Sequence, residues 1–457
     1  NSVVRNNSAD AGGGVWIHGS SGSIKNSIIY ENTTNGDPGA SIGIASSSYT
    51  SSVINTVIYN NNKIGLSVVD GAGVDIVNSI IKNNVSSTDS VEINIGSNSI
   101  ASISYSMIPN GLNAINNDGT LTWGDGNIDV NPMFVDTSNG NYHLLASSML
   151  INAGHPDSTD SDGTRADMGA YPYLNNYSGP DWFVSESGND ITATGISDNP
   201  FRSIQAAHNF GSDDDIAYVS AGTYNENLVY RYDQSESIRS VSLIGDNKET
   251  TIIDGNQAGI VVDLPNGGSS GILIEGFTIR NGYANGEMGN YGSFNQGAGI
   301  HVGHNYDPVY LSDLIIENCT AVSGGAGGFG GGIFSENSSL ELSNVQINNN
   351  SAVEEGGGIF FWGNPNDECT LNIENSYING NSSNGKGGGV YIAKSPYGPA
   401  IPIVQLSNTT VSNNTSGNDG GGVSLKEVNA TFDNCTVSEN TAANGAGINS
   451  VSSTVTV

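Results

Sequence analysis

The feature that most constrains the fold is a short phrase that recurs along the chain: asparagine, two variable residues, then isoleucine or valine. Its copies are Asn26-Ser-Ile-Ile29, Asn55-Thr-Val-Ile58, Asn78-Ser-Ile-Ile81, Asn344-Val-Gln-Ile347, Asn375-Ser-Tyr-Ile378, Asn408-Thr-Thr-Val411 and Asn434-Cys-Thr-Val437. Within each stretch of the chain, neighbouring copies lie 23 to 33 residues apart when Asn1 and Asp313 are counted as equivalent positions. Three short strands at about 3.3 Å per residue, with their bends, use a segment of that length. The phrase therefore predicts a solenoid of parallel strands with one turn per copy.

A second phrase, Gly-Gly-Gly followed by isoleucine or valine, keeps step with the first. Its copies end at Gly14-Val15, Gly332-Ile333, Gly358-Ile359, Gly389-Val390 and Gly422-Val423. Equivalent residues of stacked turns lie about 4.8 Å apart, so Ile347, Ile378, Val411 and Val437 are expected to line one core. The asparagines are expected to stack as an amide ladder at a bend, because each amide both donates and accepts. Glycines suit bends that need positive φ. The predicted fold is all-β, a right-handed parallel β-helix.

The charge of the chain excludes several classes of partner. Thirteen Lys+Arg against 45 Asp+Glu give a net charge of −32 and a pI near 4.1. Such a field repels nucleic acid, anionic lipid and anionic glycans, and the basic residues are scattered singly along the sequence. No window is apolar enough to predict a membrane span. Divalent cations are the partners that this charge favours.

The three cysteines, Cys319, Cys369 and Cys435, are too few for a disulfide framework in a chain of 457 residues. We expect them to fill small spaces in the core. The low lysine content and the acidity favour a location outside the cell or at its surface, although the sequence shows no secretion signal.

Carboxylates crowd around one glycine turn in Asp157-Ser-Thr-Asp-Ser-Asp-Gly-Thr-Arg-Ala-Asp167. This pattern resembles oxygen-liganded calcium loops, without the closing Glu and flanking helices of an EF-hand. The candidate calcium ligands are Asp157, Asp160, Asp162 and Asp167. A second candidate cluster comprises Asp125, Asn127 and Asp129. The alternative for the first cluster is a solvated turn in which Arg165 neutralises one carboxylate.

Four segments before residue 175 resemble the closing segment of bacterial surface β-helix proteins of the choice-of-anchor Q type. They are Asn127-Ile-Asp-Val-Asn-Pro-Met-Phe-Val-Asp136, Gly140-Asn-Tyr-His-Leu144, Ile151-Asn-Ala-Gly154 and Asp162-Gly-Thr-Arg-Ala-Asp-Met-Gly-Ala-Tyr171. The resemblance implies that a β-helix ends here.

The next segments resemble the opening of pectate-lyase-like β-helices. They are Trp182-Phe-Val-Ser-Glu-Ser-Gly-Asn-Asp190, Asn199-Pro-Phe-Arg-Ser-Ile-Gln-Ala-Ala207, Asp215-Ile-Ala-Tyr-Val219 and Gly222-Thr-Tyr-Asn-Glu-Asn227. The resemblance implies that a new β-helix begins, and that residues 201–210 form a short amphipathic helix covering its first turn.

Together these segments predict two domains in an unusual order. Residues 1–175 would be the C-terminal part of one β-helix, and residues 176–457 the N-terminal part of the next. We therefore expect a window of a longer polymer in which β-helix domains follow head to tail. Either one giant chain contains tandem copies, or separate subunits stack end to end.

Catalysis is the main alternative to a structural role, since many β-helices are polysaccharide lyases or hydrolases. Lyases of this fold use an Arg or Lys base beside aspartate-bound calcium, and hydrolases use paired carboxylates. Here Arg280 and Lys386 have no aspartate cluster at a matching place one turn away, and the six histidines are dispersed. We predict no catalytic residues.

A set of aromatic residues would stack on sugar rings if they lie on one face, and otherwise would pack in the core or at bends. They are Trp16, Tyr30, Tyr59, Phe361, Trp362, Tyr377 and Tyr391. The sequence thus favours a non-catalytic surface fibre or adhesin whose variable loops, such as Gly282 to Gly297 and Lys394 to Pro402, make contacts. The alternative is a polysaccharide lyase, hydrolase or carbohydrate-binding β-helix.

Overall fold

The computed structural model describes residues 1–36, 40–45, 49–84, 91–230, 239–265, 267, 271–285, 296–304, 308–322 and 328–457. Residues 286–295 of the predicted contact loop lie outside this part of the chain. The described residues form two compact units, one of Asn1–Asn176 with Asp190–Thr192, the other of Tyr177–Asn189 with Ala193–Val457. Each unit is a right-handed parallel β-helix, which confirms the predicted fold class.

In the first unit each turn crosses three parallel sheets, here called the first, second and third faces. The first face consists of Ser23–Lys25, Thr50–Ile54, Gly73–Val77, Ile100–Ser104 and Thr120–Trp123. The second face consists of Val3–Arg5, Ile28–Tyr30, Val57–Tyr59 and Ile80–Lys82, with the small pair Ser8–Ala9 and Thr33–Thr34 beside it. The third face consists of Val15–His18, Ala40–Ala45, Ile64–Val69, Ile93–Ile95 and Ile115–Asn117. Two 3₁₀ turns, Gly111–Ala114 and Thr137–Asn139, and the antiparallel hairpin Phe134–Asp136 and Asn141–Leu144 complete it.

The second unit repeats this plan with more turns. Its first face consists of Asp181–Val184, Ile216–Val219, Ser242–Gly245, Ile272–Glu275, Val309–Ser312, Leu340–Ser343, Thr370–Glu374, Ile403–Ser407, Asn429–Asp433 and Thr454–Thr456. The second face consists of Gly222–Asn225, Thr251–Asp254, Thr278–Arg280, Ile315–Glu317, Gln346–Asn348, Tyr377–Asn379, Thr410–Ser412 and Thr436–Ser438. A narrow sheet beside it consists of Tyr283–Ala284, Thr320–Ala321, Ser351–Ala352, Ser382–Ser383 and Thr415–Ser416. The third face consists of Leu228–Val229, Val262–Leu264, Ile300–Val302, Ile333–Glu336, Ile359–Trp362, Val390–Ala393, Val423–Lys426 and Ile448–Val451.

The aliphatic residue of the recurring phrase forms the expected column. Ile347 pairs with Ile378, Ile378 with Val411, and Val411 with Val437 in parallel register. The first three side chains are fully buried. Because each turn contributes one such residue, the core of the unit runs continuously through the stacked turns.

The asparagine that opens the phrase has a different role from the predicted one. It adopts positive φ, for example 52° at Asn375 and 48° at Asn408, and so turns the chain from the first face to the second. Asparagine tolerates this left-handed conformation better than other residues with a side chain. Some of these residues do touch their equivalents, as when Asn434 Nδ2 donates to Asn408 Oδ1 at 2.7 Å, but on the exposed surface.

The buried amide ladder lies six residues later in each turn. Asn381 is fully buried, its Oδ1 accepts from Asn350 N and Nδ2 at 2.9 and 3.1 Å, and its Nδ2 donates to Ile347 O at 2.8 Å. Asn414 and Asn440 continue the pattern. In the first unit the same ladder is formed by Asn7, Asn32, Asn61 and Asn84. There it ends at the buried carboxylate of Glu92, which accepts from Asn84 N and Nδ2 and whose pKa is raised by burial.

The glycine phrase keeps step with the asparagine phrase because the two are packed together. Gly356, the first glycine of one copy, has a φ of +68°, as predicted for a bend. A Cβ on Gly358, the third, would lie 2.6 Å from Gly389 O and 3.1 Å from Asn381 Nδ2. The third glycine therefore leaves room for the ladder amide and for the next turn.

Cys319 and Cys369 are buried in the core, as expected, whereas Cys435 is only half-buried. Cys319 stands where the other turns have the ladder asparagine: Gly282 N donates to its Sγ at 3.4 Å, and the thiol donates to Glu317 O at 3.3 Å. Cys435 takes the position of Ser376 and Thr409, whose hydroxyls accept a backbone N–H from the preceding turn. Burial raises the pKa of the Cys319 thiol to about 12. Such a thiol is unreactive.

Cys319→Asn should extend the amide ladder by one turn. The new Oδ1 would accept from Gly282 N and the new Nδ2 would donate along the stack, as in Asn350. We expect the free energy of unfolding to rise by about 1 kcal/mol, measured by urea unfolding. Cys319→Ala, which removes the thiol and adds no amide, should be less stable than the wild type. A destabilised Cys319→Asn would contradict the equivalence of this position with the ladder.

The closing segment of the first unit packs on the outside of the second face. Tyr142 of the hairpin contacts Tyr30 and Tyr59 with ring centroids 5.0 and 5.4 Å apart, and Phe134 meets Tyr59 at 5.6 Å. Tyr30 and Tyr59, two of the candidates for sugar stacking, thus pack against the hairpin and attach it to the helix.

The opening of the second unit contains the expected helix, but it spans Ile204–Phe210. Phe201 precedes it because this residue forms a bridge with Val184 and stacks on Trp182. Glu226 directly follows the strand Gly222–Asn225. Its carboxylate accepts from Ile204 N at 2.9 Å and from Gln205 N at 3.0 Å, so it satisfies the first N–H groups of the helix. Within the described ranges we find no helix with the length and apolarity that a membrane crossing requires.

Candidate functional site

The candidate calcium loop folds so that its carboxylates bind backbone N–H groups. Asp167 is buried, its Oδ1 accepts from Asn152 N at 2.7 Å, and its Oδ2 accepts from Tyr173 N at 2.6 Å. Asp160 Oδ2 accepts from Asp167 N at 2.8 Å. These bonds connect three segments of the closing region. Each carboxylate is here called a staple, because it holds separate segments together by accepting their backbone N–H groups.

Asp162 and Asp157 differ in their surroundings. Asp162 Oδ1 accepts from Thr164 N and Oγ1, and its Oδ2 accepts from Asn175 N at 2.8 Å. Asp157 is exposed. Burial raises the pKa of Asp160 to about 6 and that of Asp167 to about 8. Arg165 donates from Nε to Gly154 O, and its guanidinium lies 5.6 Å from the ring centre of Tyr105.

The second candidate cluster is also drawn into backbone hydrogen bonds. Asn127 Oδ1 accepts from Ser106 N, and its Nδ2 donates to Ile103 O and Gly124 O. It thereby ends the row of buried hydroxyls that runs through Ser79 and Ser106. Asp129 Oδ2 accepts from Asn110 N at 2.8 Å, and Asp125 is exposed.

Neither cluster has the donor set of a cation site in this arrangement. Among the residues that the structure describes, no three His, Cys, Asp or Glu side chains are grouped so as to hold a metal ion. Asp160 Oδ2 and both carboxylate oxygens of Asp162 and Asp167 already accept N–H groups. Calcium binding here stays a prediction, and the hydrogen bonds of these carboxylates argue against it.

The aromatic residues predicted to stack on sugars do not share one face. Phe361 points into the core of the second unit and is fully buried, whereas Tyr377 is 57% exposed on the second face. Trp16 is stacked on His18 in the first unit. Trp362 and Tyr391 lie together on the outer side of the third face of the second unit, where they belong to a larger group.

This group, here called the aromatic cluster, comprises Phe329, Phe334, Phe360, Trp362 and Tyr391. The rings of Phe334 and Phe360 stack at 5.1 Å, and those of Phe360 and Tyr391 at 5.3 Å. Phe329 packs on Phe360 at 4.8 Å. Together with Ala393 they form a hydrophobic cluster separate from the main core.

Three members of the cluster, Phe329, Phe334 and Phe360, were not predicted as candidates from the sequence, although it contains a signal for two of them. In three consecutive copies of the glycine phrase an aromatic residue follows the aliphatic one: Phe334, Phe360 and Tyr391. Strand alternation places that residue on the outer side when the aliphatic residue faces the core. The glycine phrase was therefore sufficient to predict a row of aromatic residues on the outer side of this sheet.

A cleft of about 200 Å³ opens beside the aromatic cluster. Phe360, Trp362 and Tyr391 line it on one side, and Ala393 lies within it. Its charged lining consists of Glu355, Lys394, Lys426 and Glu427. Burial raises the pKa of Glu355, and burial together with Glu355 raises the pKa of Tyr391 to about 12.

Two turns before the cluster, the same face carries a histidine–carboxylate pair. His301 Nδ1 and Asp263 Oδ1 are 2.6 Å apart, and the His301 ring lies 5.6 Å from that of Phe334. Burial raises the pKa of Glu336, which lies on the adjacent strand, and the charges of His301 and His304 partly offset this rise. The histidines are dispersed in the sequence, and Asp263 and His301, 38 residues apart, meet only through strand pairing.

The two basic residues weighed as lyase bases are both in ion pairs. Arg280 Nε lies 2.7 Å from Asp254 Oδ2 in the preceding turn, and Lys386 Nζ lies 3.6 Å from Asp419 Oδ2 in the following one. Within the described part of the chain, each is paired with one aspartate one turn away.

Comparisons with known proteins extend only to distant structures. No protein-family model matches the sequence, and no curated protein matches it. Similar solved structures include pectin methylesterases: one in complex with a hexasaccharide (14% identity, 51% of this chain and 79% of that chain, TM-score 0.27), that of Erwinia chrysanthemi (13%, 51% and 79%, 0.26) and that of carrot (10%, 61% and 90%, 0.25). At these values the likeness says nothing about activity.

Proposed function

We propose that this chain is a structural component of an extracellular, bacterial cell-surface fibre or adhesin in which β-helix domains follow head to tail. The observation that carries the proposal is that both units use one turn design, whose buried polar side chains bond from turn to turn. The ladder through Asn32, Asn61 and Asn84 and that through Asn350, Asn381 and Asn414 are examples. A unit built this way lengthens by adding turns without a new core, as repeat proteins do.

The distribution of charge supports the same proposal. Lys248, Arg280 and Lys386 are each held by a single aspartate, Asp313, Asp254 and Asp419 respectively. These three pairs join different turns, and each contributes at most about 1 kcal/mol to their stacking. A net charge of −32 also keeps such surfaces soluble and apart from other anionic polymers.

A second candidate function is a polysaccharide-active enzyme, and one observation favours it. The Asp263–His301 pair, with Glu336 on the neighbouring strand, places an acid–base pair on the outer side of the third face. A histidine oriented by a carboxylate suits general acid–base chemistry.

Microscopy and product assays together separate the two candidates. Electron micrographs of the native assembly should show filaments with an axial repeat of one β-helix domain. Incubation of the full chain with pectin, polygalacturonate and alginate should release neither unsaturated sugars nor new reducing ends. Product release that His301→Ala abolishes would overturn the structural proposal in favour of the enzyme.

A further inference from the structure

The cleft beside the aromatic cluster arises from one small residue in a column of large ones. On the outer side of the third face, Trp362 pairs with Ala393, and Ala393 pairs with Lys426, in successive turns. Adjacent turns are about 4.8 Å apart, so the side chains of Trp362 and Lys426 start roughly 10 Å from each other. The methyl group of Ala393, itself only 4% exposed, leaves part of that interval to the cleft of about 200 Å³, which Trp362, Ala393 and Lys426 all line.

The indole that bounds the cleft is held in place. Trp362 Nε1 donates to Lys394 O at 3.2 Å, in the turn that carries Ala393. Its ring also meets Phe360 edge to face at 6.2 Å. A ring fixed by a hydrogen bond and by packing loses little entropy when a ligand stacks on it.

The polar groups of the cleft are balanced in charge. The lining contains two acidic residues, Glu355 and Glu427, and two basic ones, Lys394 and Lys426, so it carries no net formal charge, while the whole chain carries −32. An anionic ligand would meet the long-range repulsion of the chain without a compensating excess of cations. A neutral ligand rich in hydroxyl groups would instead find a carboxylate acceptor and ammonium donors side by side.

The shape of the cleft narrows the class of neutral ligand. A flat ring packs at about 3.5–4.0 Å from an aromatic face, and a cleft of about 200 Å³ has room for one such ring. A pyranose has an apolar face of C–H groups and a rim of hydroxyl groups, which matches aromatic walls beside charged side chains. We infer that the cleft formed by Trp362, Tyr391, Ala393, Glu355 and Lys426 binds one neutral hexopyranose residue of a glycan. The inference deepens the proposed adhesin role and rests on it.

Calorimetric titration of the full chain with the methyl glycosides of glucose, galactose and mannose tests the inference. A ligand of this size that fits the cleft should bind with a Kd of about 1 mM. At least one of these neutral glycosides should bind at that level, and the methyl glycoside of galacturonic acid should bind at least tenfold more weakly.

Two variants locate the binding in the cleft. Ala393→Leu fills the interval between the indole and the lysine, and Trp362→Ala removes the stacking surface. Each should weaken binding by tenfold or more, while far-ultraviolet circular dichroism shows the folded β-helix. Tyr377→Ala removes a 57% exposed aromatic ring from the second face and should leave the affinity unchanged.

Three results would overturn the inference: no neutral glycoside binds up to about 20 mM, the galacturonoside binds more tightly than all of them, or Ala393→Leu keeps the affinity. These outcomes are independent of the fibre proposal. If the chain forms filaments but the cleft binds no glycoside, the inference is wrong and the fibre proposal stands. If the chain cleaves polysaccharides, the fibre proposal is wrong, and the titration still decides whether the cleft binds a glycoside.

Discussion

Replacing Asn381 by leucine should lower the free energy of unfolding of the second unit by about 3–5 kcal/mol. The amide is fully buried, accepts from Asn350 N and Nδ2, and donates to Ile347 O and to Asn414 Oδ1. Leucine has a similar volume but removes all four bonds, so two donors and two acceptors in the two neighbouring turns each lose a buried partner. Urea unfolding followed by circular dichroism measures the change.

Asn348→Ala is the matched control. Asn348 precedes the ladder residue Asn350 by two positions, is half-buried on the outer side of the second face, and pairs with Asn379 in the next turn. Its replacement should change stability by about 0.5 kcal/mol or less. Equal losses in the two variants would show that asparagine content, and not the ladder, sets the stability of the turns.

Asp167→Ala should destabilise the closing segment of the first unit by about 2–5 kcal/mol. The carboxylate accepts from Asn152 N and Tyr173 N, and both short bonds connect separate parts of that segment. Alanine provides no acceptor, so two buried N–H groups lose the oxygen that they bind in the wild type. Amide hydrogen exchange of residues 150–175 should accelerate, and the midpoint of thermal unfolding should fall.

Asp157→Ala is the variant that distinguishes a structural role of Asp167, as a staple, from a role as a calcium ligand. Both substitutions remove one carboxylate of the candidate calcium loop, but Asp157 is exposed. The staple interpretation predicts a loss of stability for Asp167→Ala alone, and no shift of the wild-type unfolding midpoint when calcium replaces a chelator. A calcium-dependent rise that both variants abolish would instead establish the metal site and contradict the staple.

Much of the fold was predictable because one turn of a solenoid is short enough to leave a visible period. The column through Ile347, Ile378 and Val411 followed from spacing alone, since parallel pairing brings residues about 31 positions apart into contact. The opening helix followed from resemblance, with its start shifted to Ile204. The function of the acidic loop did not follow, because a string of aspartates specifies neither which oxygens meet a cation nor which meet backbone N–H groups.

The sequence by itself determined the turn length, the parallel β-helix and the presence of a polar ladder, since these depend on what recurs once per turn. Only the tertiary structure decided which asparagine enters the ladder, because the phrase asparagine is used for its positive φ and the amide six residues later is the one that is buried. It also decided where a cleft opens. Trp362, Ala393 and Lys426 are 31 and 33 positions apart, and loops of unequal length set that register. Side chains in one column are neighbours through strand pairing, which no local stretch of sequence encodes.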